Sequence, residues 1–310
     1  MIQVTMLGCA ATMPIPGRPL SAAALVCRGR AILLACGEGT QLALHPSSVS
    51  PVRIDLIALS HYHGDHIFGL PGLIQTMGAL NRTAPLTITG PAGMDEAMAP
   101  ILRLADEQPF PIRLLTIPEE GLRLHELHHA WPQEALLTAF PTRHRDVSQG
   151  YCFQLGRARR FDAQKAQTMG IDRPLWRLLQ RGETVEMGEK TFPAGDFLGP
   201  ERRGLRVVFS GDTMPCPALE EAAQAADLLI MDATYAEETH ADKARLYGHS
   251  TYAQSAMLAA RADVHRLWLT HFSAMIRDPQ AFLPLAQVHF PAAQCAEPGM
   301  TLTLACDDGD

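Results

Sequence analysis

The sequence lacks several features that would place it in an obvious class. No apolar run approaches the roughly 20 residues that a membrane-spanning helix needs, and no C-x-x-C pair occurs among its seven cysteines. No internal repeat or low-complexity tract stands out. An odd, scattered set of cysteines in a chain of 310 residues argues against a disulfide scaffold and favours a reducing compartment. We therefore expect a cytoplasmic protein that does not associate with a membrane.

Positive charge is also in short supply. The chain has 26 Lys and Arg against 33 Asp and Glu, a formal net charge of −7, whereas proteins that grip a nucleic-acid backbone usually present a basic face. The balance argues mildly against broad nucleic-acid affinity and leaves room for a local basic patch. Hydrophobic residues make up 47% and charged residues 19%, which predicts a substantial core rather than disorder.

Short apolar runs with strand character recur along the chain, and helical patterns lie between many of them. The first half has strand after strand, and the second half alternates strand and helix, which predicts an α/β fold of two sheets packed face to face with helices outside. Ser250 is expected to cap a helix over 250–262. We predict a single domain over 1–310. The polar stretch at about 156–204 is predicted to be a surface insertion, with a substrate-contacting arm as the alternative.

The densest chemistry lies in LSHYHGDHIFGLPG at 59–72, where three histidines and an aspartate fall within six positions. His61 and His63 alternate by two, so their side chains point the same way if strand geometry continues. Asp65 and His66 follow after a glycine that permits a tight turn. Two imidazoles aimed together suit one cation, and the displaced aspartate and imidazole suit a second. Burying such crowded ionisable groups without a cation would be costly.

Further ligands are predicted at the ends of distant apolar strands. His144 follows LLTAFPTR, Asp212 follows VVFSG, and His271 follows LWLT. Strand ends along one sheet edge are where α/β folds place their sites. Asp212 could bridge two ions, because a carboxylate has two oxygens. The predicted sets are His61, His63, His144 and Asp212 for one metal, and Asp65, His66, Asp212 and His271 for the other.

The H-x-H-x-D-H pattern with downstream His, Asp and His resembles the metallo-β-lactamase superfamily. That resemblance implies a four-layer αβ/βα sandwich of two mixed β-sheets flanked by helices. Several blocks, in order over nearly the whole chain, narrow the resemblance to ribonuclease Z: LGCAATMPIPGRPLSAAAL, CGEGTQ, FLGPERRGLRVVFSGDT, LLIMDATYAEE, GHST and LTHFS. The narrower resemblance implies a homodimeric, zinc-dependent phosphodiesterase that trims the 3′ end of precursor tRNA. It also implies two Zn²⁺ per chain, with Mn²⁺ or Fe as alternatives.

The resemblance implies roles for particular side chains as well. A hydroxide between the two cations would attack the phosphodiester, and Asp65 would ligate a cation and orient or deprotonate the water. His249 in GHST would protonate the departing 3′-oxygen. Asp232 in MDATY stands where the family usually has glutamate; it would orient His249 or, alternatively, cap a helix. Ser273 would touch a phosphate oxygen, and Arg277 is the candidate guanidinium for contact with the substrate.

Three features depart from the ribonuclease Z pattern. Ala35 stands where the family has an aspartate, so a carboxylate behind the metal loop is missing. Met275 and Ile276 replace an arginine and a tyrosine, and Arg277 comes two residues late. The segment that would grip the tRNA elbow is only modestly basic. The alternatives are therefore a hydrolase of the same fold acting on a small phosphodiester, a lactone or another ester, a non-catalytic scaffold, and an iron-bearing oxidoreductase.

Overall fold

The computed structural model describes residues 1–188 and 190–306, so the end of the predicted domain at 310 lies outside the described residues. One compact unit comprises Met1–Gln154 and Leu205–Ala305. Its fourteen strands, two of which extend beyond these limits, are β1 (Ile2–Gly8), β2 (Ala22–Cys27), β3 (Arg30–Leu34), β4 (Ile54–Ala58), β5 (Leu86–Thr89), β6 (Ile112–Leu114), β7 (Leu122–Arg123), β8 (Ala135–Pro141), β9 (Gln149–Arg157), β12 (Arg202–Phe209), β13 (Leu228–Asp232), β14 (Leu267–Thr270), β15 (Ala293–Cys295) and β16 (Thr301–Leu304).

These strands form two seven-stranded sheets of mixed direction, ordered β16-β1-β2-β3-β4-β5-β6 and β15-β14-β13-β12-β9-β8-β7. In the first sheet, β16 to β3 run antiparallel and β3 to β6 run parallel. In the second sheet, β12 to β15 are parallel. Parallel strands end at the same sheet edge, so the residues that follow β12, β13 and β14 are brought together there.

Helices cover the sheets, because each has one apolar face that must be buried. The helices of this unit are α1 (Thr40–Leu44), α2 (Gly64–Ile67), α3 (Leu70–Ala79), α4 (Met94–Ala105), α7 (Pro217–Ala222), α8 (Ala241–Tyr247), α9 (Tyr252–Arg261) and α10 (Leu283–Gln287). Buried side chains of α3 and α4, such as Leu73 and Met98, join strand residues such as Leu33 and Ile57 in one core cluster. The prediction of two mixed sheets flanked by helices is confirmed.

The start of α9 differs from the sequence prediction. Thr251, not Ser250, is the N-cap: its hydroxyl accepts from the backbone N–H of Gln254, whose side chain bonds back to the cap. The Ser250 hydroxyl instead donates to the backbone oxygen of Thr213 at 2.7 Å. Both residues have capping side chains, so propensity alone could not separate them.

The second compact unit comprises Leu155–Gly204 and, at the chain end, Cys306. It contains the helices α5 (Ala163–Thr168) and α6 (Arg173–Gln180) and the antiparallel pair β10 (Val185–Met187) and β11 (Lys190–Phe192). Its buried apolar side chains form a cluster of their own, made of Ala166, Ile171, Leu179, Val185, Phe192, Ala194 and Phe197. A single domain with an insertion at about 156–204 stays a prediction. Across residues 1–188 and 190–306, no helix is both long and apolar enough to cross a membrane.

Candidate metal centre

The side chains predicted to bind metal come together at one place in the larger unit. They arrive from the end of β4 and from α2, and from the segments that follow β8, β12 and β14. Within each of two groups, the ligating atoms all lie within 4.8 Å of one another; the groups are His61, His63, His144 and Asp212, and Asp65, His66, Asp212 and His271. The structure therefore assembles both sets that the sequence predicts, with Asp212 common to the two.

The first group presents three imidazole nitrogens and one carboxylate oxygen. His61 Nε2 lies 3.0 Å from His63 Nδ1, and His144 Nε2 lies 3.4 Å from the same atom. Asp212 Oδ2 is 3.6 Å from His61 Nε2. Three imidazole nitrogens and a carboxylate oxygen are a donor set that suits Zn²⁺ and its first-row neighbours.

The second group presents two imidazole nitrogens and two carboxylates. Asp212 Oδ1 lies 3.2 Å from His66 Nε2, and Asp212 Oδ2 lies 3.1 Å from His271 Nε2. Asp65 Oδ2 is 3.4 Å from His271 Nε2 and accepts the backbone N–H of Thr12 at 2.7 Å. Asp212 Oδ2 thus lies near imidazoles of both groups, and Oδ1 lies near His66 of the second group, so the carboxylate is placed where both groups can share it.

The charges of this cluster depend on one another. Burial disfavours the charged form of Asp212, but His271, His66 and His61 outweigh burial and hold the Asp212 pKa well below its usual value. Burial also opposes protonation of His271, yet Asp212 and Asp65 raise its pKa to about 9. Burial and the neighbouring imidazole of His66 lower the pKa of His61 to about 2. A carboxylate that stays ionised beside an imidazole that stays neutral fits a cation.

Groups behind the ligands fix the orientation of most imidazole rings. Each of these bonds engages the ring nitrogen opposite the one that faces the cluster, and so sets which nitrogen can bind metal. The pairs are Ser60 Oγ with His61 Nδ1 at 3.0 Å, Asp146 Oδ2 with His63 Nε2 at 2.6 Å, Gly248 O with His144 Nδ1 at 2.9 Å, and Thr234 Oγ1 with His271 Nδ1 at 2.9 Å. The sequence reasoning did not anticipate the roles of Asp146, Gly248 and Thr234.

The backbone conformation and the close packing at position 248 both require glycine. Its φ is +74°, a left-handed conformation that disfavours side chains, and it ends α8. A Cβ at this position would lie 2.8 Å from the Cα of His144. The GHST block therefore positions His144 through Gly248 as well as supplying His249.

His249 and Asp232 form a pair beside the metal groups. His249 Nδ1 lies 2.7 Å from Asp232 Oδ2. Burial opposes the charged form of His249, but Asp232 outweighs burial and raises the His249 pKa. Asp232 is itself fully buried and accepts the backbone N–H groups of Thr213 at 3.0 Å and Thr234 at 2.8 Å, together with the Thr234 hydroxyl at 2.7 Å. Both of its oxygens are thus engaged by donors of the protein, although Asp232, His249 and His271 also lie close enough together to hold a cation.

An open cavity of about 760 Å³ lies over this cluster. Ser273 lines it, and its contact with a phosphate oxygen stays a prediction; Arg277 is not among the lining residues. Arg277 is exposed, and its backbone oxygen accepts from the Arg18 guanidinium at 2.9 Å. A substrate contact of Arg277 stays a prediction. Cationic and aromatic side chains that the sequence reasoning did not single out also line the cavity: Phe68, Arg145, Tyr235, Lys243 and Tyr247.

Comparisons with known proteins agree with this architecture. Two family models match parts of the chain: that of the anti-Pycsar protein Apyc1 over residues 2–97, and that of the beta-lactamase superfamily domain over residues 186–272. Among solved structures, the short form of human tRNase Z superposes with a TM-score of 0.68 at 26% identity, covering 98% of this chain and 99% of that one.

Full-length relatives are more decisive. Ribonuclease Z of Agathobacter rectalis is 36% identical, with 99% of this chain and 100% of that protein covered. Ribonuclease Z of Lachnoclostridium phytofermentans is 34% identical, with both chains covered completely. Identity at this level over the whole length means that this chain belongs to the ribonuclease Z family of metal-dependent hydrolases with the metallo-β-lactamase fold.

Proposed function

We propose that this protein is an endoribonuclease that removes the 3′ extension of precursor tRNA by hydrolysing one phosphodiester bond. The observation that carries the proposal is the convergence of both predicted ligand groups, with the His249–Asp232 pair beside them, under one open cavity. The full-length ribonuclease Z relatives support the substrate.

The two groups of ligands suit two divalent cations, for which we propose Zn²⁺. His61, His63, His144 and Asp212 would hold one, and Asp65, His66, Asp212 and His271 the other. When bound, such cations neutralise charge that develops on a phosphate and make water a better nucleophile near neutral pH.

Two side chains of the protein, Asp65 and His249, would then act on the attacking water and on the leaving group. His271 and His66 lower the Asp65 pKa although burial opposes this, so Asp65 is ionised at neutral pH and can accept a hydrogen bond that orients the attacking water. His249 directs Nδ1 to Asp232, which leaves Nε2 as its remaining donor. The raised pKa favours the protonated imidazole, and His249 can deliver that proton to the departing 3′-oxygen.

The lining of the cavity fits a single-stranded RNA end. Arg145 and Lys243 offer positive charge for phosphates, and Phe68 offers an aromatic face on which a base can stack. The Phe68 side chain is 64% exposed, and its ring lies against Gly64, where a Cβ would approach it to 2.3 Å. Lys243 Nζ lies 5.5 Å from the ring centroid of Tyr235.

The smaller unit supplies the positive charge that the whole chain lacks. Residues 155–204 contain ten Arg and Lys and seven Asp and Glu, whereas the full chain carries a net charge of −7. Such a local excess favours contact with a phosphate backbone, and we propose that this unit contributes to tRNA binding.

Homodimerisation remains a proposal supported by the family resemblance. The seven cysteines are free thiols, which supports the proposed cytoplasmic location.

The decisive experiment incubates the zinc-loaded protein with a tRNA that carries a 3′ extension and measures product lengths at single-nucleotide resolution. We expect one cut near the end of the acceptor stem. Bis(p-nitrophenyl) phosphate serves as the parallel substrate, because it needs the same hydrolytic centre but no RNA recognition. An intact precursor together with rapid turnover of the small diester would assign the protein to the alternative class, hydrolases of small phosphodiesters or esters.

A further inference from the structure

The five imidazoles of the two proposed metal sites do not receive equal support from the protein behind them. In the first site, which consists of His61, His63, His144 and Asp212, every imidazole has a partner on the nitrogen that faces away. Those partners are the Ser60 hydroxyl, the Asp146 carboxylate and the Gly248 backbone oxygen. A partner of this kind fixes the ring and raises its basicity toward a metal.

The second site, which consists of Asp65, His66, Asp212 and His271, has such support for only one of its two imidazoles. The Thr234 hydroxyl lies 2.9 Å from His271 Nδ1. His66 is 1% exposed, and its Nδ1 has no hydrogen-bond partner among the residues that the structure describes. Nε2 faces the cluster, so when Nε2 binds a cation the proton must sit on Nδ1, a buried donor with no acceptor among the described residues.

A segment at the end of β3 packs beside His66 and carries no acceptor side chain at position 35. The N–H of Cys36 donates to the backbone oxygen of His66 at 2.8 Å, and a Cβ on Gly37 would lie 2.2 Å from the backbone oxygen of Asp65. The segment that contains Ala35 is therefore packed directly against the metal loop. Ala35 itself is fully buried and adopts a left-handed φ of 59°, and its methyl group can accept no hydrogen bond.

We propose, resting on the metal-dependent function above, that the two metal sites of this protein are unequal. The second site binds its cation more weakly and releases it first, because His66 has no acceptor behind it. Loss of one such partner typically lowers metal affinity by about 10-fold to 100-fold. The protein at limiting zinc is then occupied mainly at the site of His61, His63 and His144.

Zinc titration of the metal-free wild-type protein tests this ordering without any substrate. Competition with a chelator gives the stepwise affinities, and native mass spectrometry counts the ions. Mutual repulsion of two cations would separate the steps even for equal sites, so the site must be identified as well. Imidazole ¹⁵N NMR does so: the first equivalent should shift the resonances of His61, His63 and His144 before those of His66 and His271. Simultaneous shifts, or shifts of His66 and His271 first, would overturn the proposal.

Variants at position 35 ask whether the missing acceptor is the cause. Ala35→Asp places a carboxylate in the segment beside His66, and aspartate tolerates a left-handed φ better than most residues; we expect second-site affinity to rise about tenfold. Ala35→Gly is the matched control, because it relieves the same backbone strain without adding an acceptor, and it should leave the affinity unchanged. An increase in both variants would assign the effect to backbone strain and contradict the proposal.

Asp146→Asn provides the opposite perturbation. It removes the charged partner of His63 and should weaken the first site by less than about tenfold, because both side chains are partly exposed. Intact precursor tRNA with unequal zinc binding would refute the proposed function alone, whereas two ions that bind in the order opposite to ours would refute this inference alone. Failure to bind zinc at all would refute both.

Discussion

Two buried aspartates at the ends of neighbouring parallel strands have opposite environments. Asp232 is the last residue of β13, and Asp212 follows β12 after a short turn. The oxygens of Asp232 accept backbone N–H groups, a hydroxyl and the His249 imidazole. Asp212 meets three imidazoles, and no backbone N–H of the described residues donates to it. Donors of the protein satisfy Asp232, whereas Asp212 keeps lone pairs that a cation could use.

This contrast explains how two aspartates at one sheet edge can differ, one fixing an imidazole and the other remaining available to metal. A carboxylate that accepts several protein donors is held in one place and can fix the orientation of an imidazole such as that of His249. A carboxylate that faces only imidazoles retains lone pairs for metal. Burial does not tell the two apart, because Asp212 is 2% exposed and Asp232 is 0% exposed. The identity of the hydrogen-bond donors does.

Replacement of Asp212 should have the largest effect. Asp212→Ala removes the ligand that both groups use, so we expect both ions to be lost. Turnover of any phosphodiester should fall at least about 10³-fold, because bound cations lower the reaction barrier by several kcal/mol. Metal content by mass spectrometry and turnover of bis(p-nitrophenyl) phosphate measure the two effects. Asp227→Ala removes another buried aspartate, at the opposite end of β13, and should retain both ions. Full metal content in Asp212→Ala would refute the bridging role.

Replacement of His249 should leave the ions in place and slow the chemistry. We expect His249→Ala to lower the rate of RNA cleavage about 10²-fold to 10³-fold, as loss of a general acid does. The effect should be much smaller on bis(p-nitrophenyl) phosphate, because p-nitrophenolate leaves readily without a proton. Equal losses on both substrates would mean that His249 does not protonate the leaving group.

The sequence predicts the metal centre better than it predicts its surroundings. His61 to His66 form a local motif, and His144, Asp212 and His271 each follow an apolar run, so strand periodicity and the parallel-sheet rule indicate that they meet. Asp146, Gly248 and Thr234 act through contacts between loops, which no periodicity encodes. Thr234 in particular follows β13 in the DATY block, where its hydroxyl gives no sign that it will meet an imidazole 37 residues later in the chain.

Asp232→Asn tests the aspartate whose oxygens accept protein donors, and its effect on RNA cleavage should be intermediate. Asparagine keeps one acceptor oxygen but turns an amide group toward donors, so one buried donor loses its partner at a cost of about 1–3 kcal/mol. We expect both ions to remain and RNA cleavage to fall about tenfold to a hundredfold. Asp232 raises the pKa of His249, so its loss lowers that pKa. The fall of kcat with rising pH, where His249 loses its proton, should therefore move to lower pH.

A matched Asp212→Asn variant makes the contrast explicit. It should lose metal, since the bridging charge is gone, and Asp232→Asn should not. If Asp232→Asn also loses metal, or if its pH profile coincides with that of the wild type, the division of labour between the two aspartates is wrong.

Thr234 contacts both Asp232 and the metal-site residue His271, and its replacement should have the smallest effect. Its hydroxyl donates to Asp232 Oδ1 at 2.7 Å and lies 2.9 Å from His271 Nδ1, which can donate to it. Thr234→Val keeps the volume but removes the hydroxyl, so His271 loses its support and second-site zinc affinity should fall about tenfold, with the first site unchanged. Thr234→Ser restores the hydroxyl and should restore the affinity. If the Thr234→Val and Thr234→Ser proteins have the same second-site zinc affinity in chelator competition, packing alone holds His271. Asp232 would then influence His249 but not His271.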